Sequence, residues 1–531
     1  MKHLSIKNIF IDYLVFTVLI ISVFVPGLLH AEPDFRSCEN YIDSFKMHQA
    51  MSCIKKYDKD STLQNSAELF YLKGKYNFYA GDFDKAEQLT GQALELKNGE
   101  LDWQYMIDQI RISKNRVHKM EKAVYKKSSV KFLYMDSDDK ILLKYALSTL
   151  VKQKKRLQEI LGDPLDDITV YILPSVEILS DMSGLTVEQI ETTGTVAITR
   201  FNRIMILSPK AVLSGYPWRD TLAHELTHVA IYKSSNNLSP IWLHEGIAKY
   251  LETLWLRGTA NTLSSESSYL LGNAARHNTL IPLRSFYPSV SHLENQEDAA
   301  LAYAEGLDYI IYLQTKFKEN KSLKDLLHLI GEGETLDNAF VEVTGYKLKK
   351  LVLWWKQRLH GLWSNPDTDF SINILRYKKE NVSQLSLFEK NLSIDVRRHV
   401  RTGDLLQLRG HLKAALQEYQ WAFEKSKIPP AQVVSRLASV LIALSKNEEA
   451  LKLLDEAKII NPYDSTLYFL SAKSAYNMGN KELAEKRLLH AIGLEPFNPD
   501  IHCLLSKVYK ADSRQSKEER EICLTLGAEN E

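Results

Sequence analysis

In the stretch WRDTLAHELTHVAIYK, residues 218–233, His224, Glu225 and His228 spell H-E-x-x-H. Residues four apart on a helix share a face, so these two imidazoles can reach one metal ion. Glu225 then lies beside the pair, where its carboxylate can take a proton from a water that the ion activates. A catalytic zinc needs three protein ligands and one open position, and two His with one Glu is a common set. With sixteen residues between it and His228, Glu245 in SPIWLHEGIAKYLE supplies such a carboxylate. Glu252, seven residues on and on the same face, is either a rival third ligand or a solvated helix carboxylate. His244 is either a group that supports the ligands or a surface side chain. The bland alternative to the whole motif is a buried helix whose histidines bond to backbone.

Both segments must be helices for this chemistry. Pro217 suits a first turn, Asp220 places a carboxylate near the N-terminal end, and Leu222, Leu226, Val229 and Ala230 form an apolar stripe behind the histidines. In the second segment Ser239 can cap and Pro240 fits the first helical position. Gly246 would let this helix approach the first one closely.

HELTH followed by WLHEGIAKYLE resembles the gluzincin metallopeptidases, and more closely the peptidase MA-like group, whose second motif reads W-L-x-E-G-x-A. The resemblance covers about residues 128–362. It includes AYAEGLDYIIYLQTKF and TLDNAFVEVTGYKLKKLVLWWKQRL, which look like that group's C-terminal helices. It implies one zinc per chain, His224, His228 and Glu245 as ligands, and Glu225 as general base. Gluzincins also use a downstream Tyr or His for the oxyanion, and Tyr303 holds that place in chain order; otherwise it is packing, as Tyr309 and Tyr312 on the same helix are. The gluzincin plan further lays an edge strand along the cleft, where its unpaired N–H and C=O groups bind extended peptide. Gly194, Val196 and Ala197 are the candidates for that lip, against the reading of a plain strand. No Gly-x-Met-Glu-Asn box is present, which favours endopeptidase over aminopeptidase action. The spacing between His228 and Glu245 is also shorter than in the aminopeptidase branch, so that branch's substrate contacts do not transfer.

The chain has 531 residues, 45% hydrophobic and 25% charged, which suits several globular domains. A net charge of +1 gives no reason to expect a nucleic-acid partner. Residues 1–31 have the order of a secretory signal, with Lys2 and Lys7 before a charge-free run from Tyr13 to Val25. An uncleaved anchor, which needs about 20 apolar residues, is the alternative, and only then would the chain associate with a membrane. Export to the periplasm or cell envelope suits the cysteines too. Cys38 and Cys53 lie close in sequence, as do Cys503 and Cys523, and each pair is either a disulfide between adjacent helices or two buried thiols.

Helical repeats are expected on both sides. In residues 67–100 the placement of Gly74, Gly81, Ala86 and Ala93 resembles a tetratricopeptide unit. Near the C-terminus Ala415, Ala450 and Ala484 recur at 35 and 34 residues, as do Ala422, Ala457 and Ala491. Pro462 and Pro496 stand 34 apart. Between the repeats, residues 101–122 read as a continuing helix, and strands are expected near 129–135, 168–173, 195–199 and 203–207.

The expected fold class is α+β. A gluzincin-like unit, a small mixed sheet plus zinc-binding helices over residues 127–362, follows an N-terminal repeat domain (32–126). It precedes a linker (363–395) and a C-terminal repeat domain (396–531). Two functions fit: an exported zinc peptidase acting on protein or peptide, with repeats recruiting substrate or partner, or a catalytically silent repeat scaffold.

Overall fold

A computed structural model describes residues 34–527 except 44–45, 164, 214, 287–288, 360–374, 379–391 and 427–428. The candidate signal lies outside the described residues, as does most of the expected linker. Among the described residues no helix is long and apolar enough to cross a membrane.

The N-terminal part is a run of antiparallel helices. Phe35–Asp43 and Met47–Asp58 are joined by the Cys38–Cys53 disulfide, with Cα atoms 5.5 Å apart. Ala67–Ala80 then packs on Phe83–Leu96 through Gly74, where a Cβ would stand 2.2 Å from the Thr90 hydroxyl. Only small residues permit that approach, which is why the repeat spacing was visible in the sequence.

Five strands form one sheet: β1 (Glu121–Tyr125), β2 (Val130–Tyr134), β3 (Ile168–Leu173), β4 (Ala197–Arg200) and β5 (Arg203–Leu207), in the order β1-β2-β3-β5-β4. The three inner strands run parallel and the two edges antiparallel. β2, β3 and β5 are buried almost throughout, as parallel strands covered on both faces must be. The structure corrects one expectation here: the helix over 101–122 ends at His118, and residues 121–125 form edge strand β1. Glu-Lys-Ala favours helix locally, but pairing along β2 overrides that weak preference, and the Tyr134 hydroxyl fixes Glu121 at 2.9 Å. The sheet therefore begins before residue 127.

The helices Leu142–Leu161 and Trp218–Ser234 pack together behind the sheet. The last repeats share their core. Tyr468, Ala472, Leu488, Ile492, Ile501 and Leu505 belong to the same buried cluster as the strands and both helices. The Trp218 indole donates to the Ile492 carbonyl at 3.0 Å, tying the first residue of the H-E-x-x-H helix to the repeats. Glu519, on a helix joined to its neighbour by the Cys503–Cys523 disulfide, accepts from Lys144 and Tyr145, both at 2.7–2.8 Å. The C-terminal array is thus fused to the central unit at its far end. Its earlier helices, around Ala415, Ala438 and Ala450, keep a separate core.

Candidate metal centre

The helix Trp218–Ser234 is buried on nearly every side, and His224, Glu225 and His228 fall on one stretch of it. Pro217 stands just before its first turn, and Pro240 likewise flanks Ile241–Leu251. Ser239, expected to cap that second helix, does not: its buried hydroxyl finds no partner among the described residues. What places the second helix is Gly246. A Cβ there would stand 2.7 Å from the carbonyl of Gly306 on the helix Gln296–Gln314, and 2.9 Å from Ile310. So the close approach allowed by Gly246 is to the Gln296–Gln314 helix, not to the H-E-x-x-H helix as expected. This crossing of two glycines brings Glu245 and Tyr303 to the same point from different helices.

There Glu245 Oε2 lies 3.4 Å from His224 Nε2 and 3.5 Å from His228 Nε2. Ligands about 2.0–2.1 Å from a tetrahedral zinc stand roughly 3.3–3.4 Å from one another, so the two separations from Glu245 are close to edges of a zinc polyhedron. Apart from the two imidazoles, this buried Oε2 has no hydrogen-bond partner among the described residues, which leaves room for a shared cation between the three groups. The Glu225 carboxylate also lies within 4.8 Å of both imidazoles. Its Oε2 accepts the Thr199 hydroxyl at 2.6 Å, which ties Glu225 to the neighbouring strand. The residues present therefore fit zinc.

Behind the ligands, Glu252 is neither a third ligand nor a solvated carboxylate. It is buried, and its Oε2 meets His224 Nδ1 at 3.3 Å, on the side of the ring away from Glu245. Its other oxygen accepts from Lys249 Nζ at 2.9 Å and Asn261 Nδ2 at 3.0 Å. A carboxylate on the rear nitrogen fixes the tautomer and tilt of a ligating imidazole. Burial opposes ionisation of Glu252, but Lys249 and His224 together outweigh it and hold the carboxyl below its usual range. For His224, burial likewise disfavours the charged ring, yet Glu245 and Glu252 hold its pKa up to about 9.

His244 is buried rather than superficial. Its ring stacks at 5.8 Å on His228 and lies 5.0 Å from the ring of Tyr232, while Nε2 has no hydrogen-bond partner among the described residues. Burial, then the neighbouring His228, lower its pKa to about 3, so the ring is neutral. Tyr303 stands with its ring 6.0 Å from that of His224. Burial and then the carboxylates of Glu245, Glu225 and Glu252 push its phenol well above the ordinary range. A phenol that keeps its proton can donate to a developing oxyanion. Tyr309, by contrast, packs between Trp242 and Trp355. Tyr312 is buried beside it, and both take the packing role expected of them.

Among the described residues β4 is an edge strand of the sheet, and it runs against the H-E-x-x-H helix. Leu207 N–H donates to the Val196 carbonyl at 2.8 Å, and Ala197 pairs with Ile206. The antiparallel alternation then turns the backbone groups of Ala197 and Thr199 outward. Of the three expected lip residues, only Ala197 lies on that edge. Gly194, at φ 71°, ends the helix Val187–Thr193 and is packed by Gln296, and the Val196 carbonyl is spent on β5. Thr199 was missed because its role depends on a strand and a helix meeting across the fold. Arg200, next to it, reaches the Thr199 carbonyl at 3.4 Å. Glu252 carried a faint signal, its spacing of two helical turns from Glu245; Asn261 carried none.

Comparison with known proteins agrees over the central unit. No curated protein matches the chain. Among solved structures, the "MamA RS-1 ArsTM double mutant" is similar at 19% identity over 27% of this chain and 80% of its own, with a TM-score of 0.23. The "Crystal structure of APC/C hetero-tetramer Cut9-Hcn1" is similar at 13% identity over 90% of this chain and 83% of its own, with a TM-score of 0.21. At such TM-scores neither bears on fold or function. Residues 147–361, which contain both histidines, both glutamates and Tyr303, match the Peptidase MA superfamily.

Proposed function

We propose that the protein is an exported zinc metallopeptidase that hydrolyses peptide bonds within a protein or peptide substrate. The observation that carries this reading is the buried Glu245 Oε2, which lies 3.4–3.5 Å from the two imidazole nitrogens and has no other partner among the described residues. Zinc held by His224, His228 and Glu245 supplies a Lewis acid that polarises the scissile carbonyl and acidifies water to near neutral pH. Glu225, steadied by Thr199, takes the proton of the attacking water and passes it to the leaving amine. Tyr303 donates its phenolic proton in a hydrogen bond to the oxyanion. An extended substrate lies along the outer edge of β4, where Ala197 offers its backbone N–H and C=O. Glu252 keeps the His224 ring turned toward the ligand position.

The cysteines support export, since both pairs are bridged and structural disulfides belong to oxidising compartments. The helices around Ala415, Ala438 and Ala450, which keep their own core, are the segment suited to holding a protein partner. A silent scaffold would need neither the base nor the carboxylate behind His224. Incubating the full chain with a peptide library and sequencing the products tests the reading. Internal cleavage, abolished by a zinc chelator and restored by added zinc, is expected. Trimming from one end only would replace endopeptidase by exopeptidase action, and cleavage insensitive to chelation would overturn the metal mechanism.

A further inference from the structure

Beyond Ala197, the outer edge of β4 carries a cation. Thr199 is the next residue whose backbone turns outward, and a guanidinium nitrogen of Arg200 meets its carbonyl at 3.4 Å. That bond is long, since N–H···O bonds cluster near about 2.9–3.0 Å. An extended substrate that has paired with Ala197 therefore meets a donor fork next, where a plain edge would offer a carbonyl. The place is close to the chemistry, because the Thr199 hydroxyl donates to Glu225 Oε2 at 2.6 Å. Arg200 also stands directly across the hairpin from Arg203, and like charges so placed are destabilising. Packing accounts for Arg203. It is buried, with its guanidinium 5.4 Å from the centre of the Phe83 ring and 5.9 Å from that of Phe78, both in the N-terminal repeat. Gly81 closes on it so tightly that a Cβ would stand 2.8 Å from Arg203 Cδ. That niche is full, and the second arginine lies at the substrate edge instead.

We propose that Arg200 is a specificity-determining residue that binds a carboxylate of the substrate, at the subsite beside Thr199. The proposal rests on the metallopeptidase reading and names the substrate class that reading leaves open. A guanidinium fork matches a carboxylate through two parallel charge-assisted bonds, each about twice as strong as a neutral one. Such a pair readily replaces the single long bond to the Thr199 carbonyl. Arg200 is half-buried, so salt screens its charge less than that of a surface arginine. The carboxylate belongs either to an acidic side chain or to a free C-terminus.

The library peptide cleaved fastest is remade as an internally quenched series. It carries Glu, Gln or Lys at each of the positions flanking the cut, with the C-terminus free or amidated. For the wild-type full chain, kcat/KM is expected to favour the carboxylate by about 10–100-fold at one position, the effect of a hydrogen bond between charged groups. Preference for Glu over Gln assigns an acidic side chain, and preference for the free over the amidated end assigns the chain terminus. In Arg200→Gln the ratio should fall to near one, in Arg200→Lys it should persist in part, and in Arg200→Glu it should turn toward Lys. Each ratio is taken within one variant, so loss of folded protein does not enter it, and a merely structural role would not move it. If Arg200→Gln does not fold, Arg200→Lys and the wild-type ratios still decide. Even cleavage of the whole series by wild type, or a preference that survives in Arg200→Gln, overturns the proposal alone. A wild type that cleaves no peptide overturns the metallopeptidase reading beneath it.

Discussion

Glu225→Gln is expected to lower peptide hydrolysis by about 10²–10⁴-fold, the contribution of a well-placed general base, while zinc binding and folding persist. The amide keeps the shape of the carboxylate and can still meet the Thr199 hydroxyl, which reaches Glu225 Oε2 at 2.6 Å in the native chain. It cannot accept the water's proton. Because Glu225 is not one of the three proposed ligands, metal content should not change. Steady-state kinetics on one identified peptide, with zinc measured on the same samples, checks both halves. Unaltered kcat in the variant would remove Glu225 from the mechanism.

The second large effect lies at a residue with no chemistry of its own. Gly246→Ala places a Cβ 2.7 Å from the Gly306 carbonyl and 2.9 Å from Ile310. The first of these neighbours is backbone and cannot swing aside, so the helices Ile241–Leu251 and Gln296–Gln314 must separate. Overpacking of this kind costs about 1–3 kcal/mol of stability. The catalytic loss should be larger than that figure suggests, because Glu245 is the adjacent residue and Tyr303 lies one turn from Gly306. A misplacement on the order of 1 Å in such a constellation costs about 10²-fold in rate. Thermal unfolding and kcat measured together on Gly246→Ala test this, and a variant with native activity would show that the crossing does not set the site.

The parts of this site that could be read from the sequence are those written in local periodicity. His224 and His228 share a face because four residues make about one turn, and the recurrence of Ala415, Ala450 and Ala484 exposes the repeat because small residues are required where paired helices touch. All three alanines are fully buried in the structure. Tyr303 could be placed from chain order through a family resemblance, and the structure sets it beside His224.

What escaped was whatever depends on contacts distant in sequence. Glu252 reads as one more helix carboxylate until His224 is seen behind it. Thr199 reads as a β-branched strand residue until β4 is laid against the H-E-x-x-H helix. Gly246 was legible as a point of close approach, but not its partner, since the glycine that faces it lies sixty residues on in the chain. The first two residues of β1, Glu121 and Lys122, were read as the end of a helix because Glu and Lys favour helix locally and only an edge position in the sheet makes a strand of them. The fusion of the last repeats to the central core left no trace in a repeat period, which reports neighbours within the array and not what the array leans on.

Zinc content of the purified full chain, beside Glu245→Ala, tests the central claim most directly. The account predicts about one zinc per wild-type chain and little or none in the variant, since two imidazoles without the carboxylate leave the ligand set one short. A folded wild type that neither carries zinc nor takes it up when supplied would contradict it.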